Sequence, residues 1–417
     1  RLQIALRLVA AFVAVALVWI LWPIYGFVSN QYEVARVPFG WVDLPEEVPT
    51  AHVVRDSQYA AVGTAAFQAL VERRQKIGAP SLSGAGAVGG RIVWIGAVGW
   101  EDIERGVAAT PETAYRIGST SKAVTATVLA RLVDDGRIDL DAPLSAYVPD
   151  LPNEAWEPMT ARQLASHTAG LPNYEENTDW TGFYHTLALQ RRYSASTDAL
   201  DTFDSSRLLF EPGTGFHYTS FGTVLLGAAI ESATGVPFET ALDQEVSDPL
   251  DLQSLGPDRP GGPSDPVAVS YQRWGTQCKP WRPVDFTSKT ASGGLAASPA
   301  DLARLGAAWL DDPFISPPVR AEFWTPVRLP DGTVNEQDYA LGWRRKSWDI
   351  PGVHLNHGGI SKGAQAWLMV VPEHQMSVAL TTNGRTDEFS DFAGVSVDIL
   401  KIFLPVVGRR ADERTAE

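Results

Sequence analysis

The first thirty residues constrain this chain more than any other stretch. No charge stands between Arg7 and Glu33, and Leu8 to Trp22 is apolar without a break, continuing uncharged through Pro23 to Val28. About 20 apolar residues span a bilayer core, so residues 1–28 are expected to form a transmembrane anchor. Trp19, Trp22 and Tyr25 gather at the C-terminal end of the run, where interfacial aromatics belong. Arg1 and Arg7 precede it, which predicts a cytoplasmic N-terminus and a chain body that is periplasmic or otherwise extracytoplasmic. The competing reading is a cleaved signal peptide. The run is long for one, and Tyr25 to Asn30 offers no small-x-small cleavage site. A core helix of a soluble domain would carry a polar face, and this run has none. Because the chain opens on Arg1, a longer native N-terminus is expected.

The remainder is acidic. The 417 residues carry 34 Lys+Arg against 49 Asp+Glu, a net charge of −15 that argues against nucleic acid as a partner. No polybasic patch flanks the anchor to recruit anionic lipid. A hydrophobic share of 45% excludes a disordered chain. The single cysteine, Cys278, excludes an internal disulfide and a Cys-rich zinc site. His354 and His357 resemble a metal pair, but three apart on a strand they face opposite sides, and no metal or other cofactor is expected.

Residues 29–56 carry Pro38, Pro45 and Pro49 and read as a stiff linker. Helical spacing marks Ala60 to Lys76, and Gly89-Gly90 lies between two strand-like runs as in a hairpin. Thr160 with Gln163, and Ser298 with Asp301, look like capping boxes. Val353 to Thr382 suits two or three strands, and Phe389 to Leu404 an amphipathic helix before a charged tail, 405–417. Strands at both ends with helices between them, roughly over 123–310, predict one α+β domain over 57–404 whose chain ends meet in a common sheet.

Two motifs mislead. Gly84, Gly86 and Gly89 satisfy G-x-G-x-x-G, but a strand-like run, Arg91 to Ile95, follows where a dinucleotide site needs a helix. Gly359, Ser361 and Gly363 match the G-x-S-x-G elbow, yet Ala364 to Val371 is again strand-like.

Ser119 and Lys122 carry more. They form S-x-x-K, and no other lysine has a serine three residues before it. On a helix the two side chains share a face. A serine hydroxyl needs a base, and lysine serves only when neutral, at a cost of about 4 kcal/mol near pH 7. Tyr218-Thr-Ser220 gives Y-x-S about one hundred residues later, and His357-Gly-Gly359 follows after about one hundred and forty more.

S-x-x-K, Y-x-S and H-x-G in this order resemble the serine β-lactamase and penicillin-binding-protein family, in its class C-like and D-alanyl carboxypeptidase-like branch. Gln163-Leu-Ala-Ser-His-Thr-Ala-Gly-Leu-Pro172 and Ser292-Gly-Gly-Leu295 add to the likeness. Ser121 and Trp324-Thr-Pro, with the N-terminal segment, are similar to the family's mitochondrial members. The resemblance covers about 57–404 and implies the β-lactamase/transpeptidase-like fold, an antiparallel sheet flanked by helices with a helical subdomain inserted. It implies that Ser119 is acylated and that Lys122 and Tyr218 shuttle its proton. The backbone N–H groups of Ser119 and Ile360 form the oxyanion hole on this reading. Ser220, His357 and Gly359 line the substrate.

The departures matter. Ser220 stands where lactam-hydrolysing relatives have Asn, and a hydroxyl is shorter than a carboxamide. His357 stands where many relatives have a permanently charged lysine. Both favour a small peptide or ester with an uncharged or extended body over a β-lactam. The expectation is a membrane-anchored serine hydrolase. A D-alanyl carboxypeptidase or β-lactamase is one alternative, and a self-assembling scaffold or accessory subunit of a membrane complex is another.

Overall fold

The computed structural model describes residues 2–31, 37–346 and 348–415. Helix α1, Leu2–Gln31, is long and apolar enough to cross a membrane. A helix satisfies its own backbone polar groups, so apolar side chains can face lipid all round. Its side chains are exposed almost throughout up to Trp22, and from Pro23 to Ser29 they are partly or fully covered by the rest of the chain.

Seven strands make the main antiparallel sheet. They are β1 (Thr50–Val54), β2 (Ser81–Val88), β3 (Arg91–Asp102), β4 (Arg344–Arg345), β5 (Leu355–Ser361), β6 (Ala364–Val371) and β7 (Met376–Thr382). Their spatial order is β4-β5-β6-β7-β2-β3-β1, and the short strand Val107–Ala108 also pairs with β3. The two chain ends therefore meet where β7 pairs with β2, Met376 opposite Val88. The hairpin expected at Gly89-Gly90 forms, with Val88 opposite Arg91.

The sheet is buried on both faces. On one side lie α2 (Ala60–Ile77) and α7 (Phe389–Thr415), clasped by Arg73 Nε donating to Asp398 at 2.7 Å. Trp94, Met376, Leu380 and Phe403 fill that layer. The other side carries α3 (Ser121–Asp134), α5 (Ser220–Thr234) and α6 (Pro299–Ala308) in a larger core with Leu129, Leu225, Trp309 and Trp343. Helix α4, Trp180–Ala188, lies between α3 and α5 in sequence and packs against α1.

Four expectations need correction. The linker is part of the fold, because β1 pairs with β3 and Val42–Asp43 pairs with Gln277–Pro280. Residues 32–36 of it lie outside the described residues, as do 416–417 of the tail. The tail up to Thr415 continues α7, with Pro405 inside the helix. The inserted helical part stops short of 310, since α6 packs on the sheet. Thr160 and Gln163 do form a reciprocal capping box, but at α6 only half of one exists. Ser298 Oγ accepts from the Asp301 N–H, while the Asp301 carboxylate accepts from Ser254 instead.

Candidate active site

Ser119 lies in a tight turn, Gly118–Thr120, that runs directly into α3. Its hydroxyl thus stands at a helix N-terminus, where backbone N–H groups supply positive potential. Gly118 takes φ 51°, and a Cβ there would sit 2.6 Å from the Ile360 carbonyl oxygen. On the strand side, a Cβ on Gly359 would sit 1.9 Å from the Ile117 carbonyl oxygen and 2.7 Å from the Thr120 nitrogen. The two missing methyl groups let β5 press onto the turn, which brings the backbones of Ser119 and Ile360 together.

Lys122 follows on the inner face of the same helix and is 2% exposed. Its Nζ donates to Ser119 Oγ at 3.3 Å, Ser220 Oγ at 3.2 Å and the Ser292 carbonyl at 3.0 Å. Among the described residues no carboxylate pairs with it. Burial, and to a smaller degree the Arg344 cation, push this ammonium below the ordinary lysine range, against an opposing pull from Tyr218. The bonds that hold it orient its nitrogen toward Ser119.

Ser220 opens α5, whose N-cap Thr219 accepts from the Phe221 N–H. That cap turns Tyr218 back over the site, where the Lys122 Nζ lies 5.0 Å from its ring. Burial alone would raise the Tyr218 phenol. Lys122 and Arg344, with hydrogen bonds to Ser119 and Lys122, outweigh burial and lower it. An amine that gives up its proton readily and a phenol that does the same therefore flank one hydroxyl.

The structure thus brings Ser119, Lys122, Tyr218, Ser220, Gly359 and Ile360 into one cluster. Two assignments change. His357 is fully buried behind Tyr218, with Nε2 at 2.9 Å from the Tyr339 hydroxyl and Nδ1 at 2.9 Å from the Gly358 carbonyl. It supports the cluster and does not line open space. Burial, followed by Arg344 and Lys122, holds it far below the usual histidine range, so it is neutral. Gly359 faces the nucleophile turn, and its contribution is close approach, not substrate contact.

Several residues packed around the cluster are not among the site residues expected from the sequence. Arg344 on β4 stacks over both Tyr218 and Tyr339 at 5.0 Å. Tyr174 hydrogen-bonds with Ser220 and Ser292, and burial pushes its phenol up to about 12. His167 takes φ 62° and accepts from the Thr219 N–H at 3.4 Å while its ring packs 4.4 Å from that of Tyr218. Ser121 is buried, and its Oγ accepts from the Leu295 N–H at 3.3 Å, tying Ser292-Gly-Gly-Leu295 to α3. No group of three or more His, Cys, Asp or Glu among the described residues is arranged to hold a metal.

A hydroxyl at a helix N-terminus, beside a desolvated amine and an acidified phenol, is equipped to attack a carbonyl. The β-lactamase family model matches residues 66–397, most of the chain, and the protein belongs to that family of serine hydrolases. Among its relatives is the human serine beta-lactamase-like protein LACTB, mitochondrial, 26% identical over 72% of this chain and 70% of that protein. Esterase EstB of Burkholderia gladioli is 32% identical over 50% of this chain and 54% of the esterase. The octameric penicillin-binding protein homologue from Pyrococcus abyssi superposes with a TM-score of 0.65 at 22% identity, covering 82% of this chain and 77% of that one.

Proposed function

We propose that the protein is a membrane-anchored serine hydrolase that cleaves a peptide or ester through an acyl-serine intermediate. The observation that carries this reading is the Lys122 Nζ at 3.3 Å from Ser119 Oγ, buried and without a carboxylate partner. Ser119 Oγ attacks the substrate carbonyl, and its proton passes to the Lys122–Tyr218 pair. The backbone N–H groups of Ser119 and Ile360 receive the developing oxyanion, a contribution of about 3–4 kcal/mol per donor in comparable sites. The leaving group takes the proton back, and water then hydrolyses the acyl-serine. α1 holds the domain at a membrane with its body on the extracytoplasmic side.

Ester hydrolysis is supported by the esterase relative, and the short Ser220 hydroxyl, already engaged by Lys122, weakens the case for a β-lactam. The test is hydrolysis of a panel of nitrophenyl esters and short peptide amides by the wild type and by Ser119→Ala. The wild type is expected to turn over esters at a rate that Ser119→Ala lacks. Equal turnover by both would refute the reading. A fluorescent penicillin separates the alternative, because a carboxypeptidase or β-lactamase would be captured covalently at Ser119.

A further inference from the structure

The rim of the site on its α1 side holds two lysines that the reaction above does not use. Lys289 lies just before the short helix Thr290–Gly293, which carries the Ser292 carbonyl that receives Lys122. Its Nζ stands 4.8 Å from the Phe286 ring and 5.5 Å from the ring of Tyr174, the tyrosine bonded to Ser220. Arg116 stacks on the same Phe286 at 5.1 Å and donates to the Lys362 carbonyl at 3.2 Å. The Lys362 Nζ is 5.8 Å from the Trp281 ring and 4.0 Å from the ring of Phe27 in α1. A row of amines therefore runs from Lys122 through Lys289 to Lys362 and ends on α1.

Neither Lys289 nor Lys362 forms an ion pair among the described residues, although the chain has 49 acidic residues and Arg116 beside them takes Asp258 at 2.7 Å. Both residues are partly exposed. Burial above all holds the Lys362 ammonium well below the ordinary lysine range. The charges that act on the two lysines are cationic, Lys122 and Arg116 on Lys289, and Lys289, Arg385 and Arg282 on Lys362. Burial first, then Lys122 and Arg116, bring Lys289 down to about 8, the behaviour of an ammonium that lacks a counter-ion. Half-buried charge without a partner is costly, and the cost is removed when an anion arrives.

The row lies beside the C-terminal third of α1. The Tyr184 hydroxyl on α4 donates to the Ile20 carbonyl of α1 at 3.3 Å. Trp180, at the start of α4, is 82% exposed, as suits an interfacial aromatic. We infer that Lys289 and Lys362 form a subsite for an anionic group of the substrate, a carboxylate or phosphate, on the membrane-facing side of Ser119. The inference rests on the serine-hydrolase reading and deepens it. The uncharged body expected from His357 rests on that one position, whereas Lys362 lies in the turn between β5 and β6 and Lys289 just before Thr290–Gly293.

The test uses the full-length protein in neutral detergent, with 4-nitrophenyl butyrate and mono-4-nitrophenyl glutarate as a matched neutral and anionic pair. A fluorophosphonate first confirms a reactive Ser119. The wild type is expected to favour the anionic ester by at least tenfold in kcat/KM, and the preference should fade as pH rises past 8. Lys289→Met and Lys362→Met should each lower the anionic-to-neutral ratio at least tenfold, and Lys289→Arg and Lys362→Arg should keep it. Phosphatidylglycerol vesicles that compete better than phosphatidylcholine vesicles assign the subsite to a lipid headgroup, whereas competition by inorganic phosphate alone assigns it to a soluble anion. A labelled, active enzyme with no anionic preference, or methionine variants that keep it, overturns the subsite and leaves the hydrolase standing. Absence of labelling overturns both.

Discussion

A single methyl group at Gly359 should disable the site, and the expected size of the effect follows from the packing of β5 on the nucleophile turn. A Cβ added there would lie 1.9 Å from the Ile117 carbonyl oxygen and 2.7 Å from the Thr120 nitrogen. Van der Waals contact needs about 3.5 Å, so strand and turn must part by roughly 1.5 Å. Both obstacles are backbone atoms, so no side-chain rotation can relieve the clash. Overpacking of this kind costs about 1–3 kcal/mol of stability. The functional loss is larger, because a misplacement of about 1 Å between reacting groups costs about 100-fold in rate. The measurement is the second-order rate constant for fluorophosphonate labelling of Gly359→Ala, with the urea midpoint recorded on the same preparation. Gly394→Ala in α7 is the control, since nothing lies within 4 Å of its Cβ position. Labelling of a folded Gly359→Ala within threefold of the wild type would refute the argument that this glycine sets the distance between Ile360 and Ser119.

Arg344 lowers both Lys122 and Tyr218. Either group must be deprotonated to accept the serine proton, so Arg344→Gln should move the acid limb of the kcat/KM pH profile to higher pH. Arg344→Lys should restore part of the shift, and an unmoved limb in Arg344→Gln would show that the stacked cation does not tune the base. Phe403 is fully buried between α7 and the sheet, its ring 6.0 Å from that of Tyr59 and 6.5 Å from that of Trp94. Phe403→Ala is expected to cost about 3–5 kcal/mol by urea unfolding, and a loss below about 1 kcal/mol would mean that α7 is not part of the core.

The amino-acid pattern exposed Ser119, Lys122 and Tyr218 because their chemistry depends on local spacing, i to i+3 on a helix and the turn before α5. It exposed the common sheet of the chain ends because β2, β3 and β5 to β7 alternate with clear turn residues. It was silent on Arg344, Tyr174 and Lys289, which reach the site by tertiary packing and carry no spacing signature. His357 turns inward although its motif suggests substrate contact, because a strand residue next to a site can face either way and Tyr339 draws it to the interior. β1 was hidden among prolines, and its strand character comes from pairing with β3. α4 carries no signature in the sequence because it is only nine residues long and is held by α1, which lies far away in sequence.

The central claim is that Ser119 is a nucleophile activated by Lys122. It is tested most directly by intact mass spectrometry after brief exposure to a fluorophosphonate, followed by peptide mapping. The account predicts one adduct per chain, located on Ser119, absent from Ser119→Ala and formed far more slowly in Lys122→Met. An adduct on another residue, or equal rates in the wild type and Lys122→Met, would contradict it.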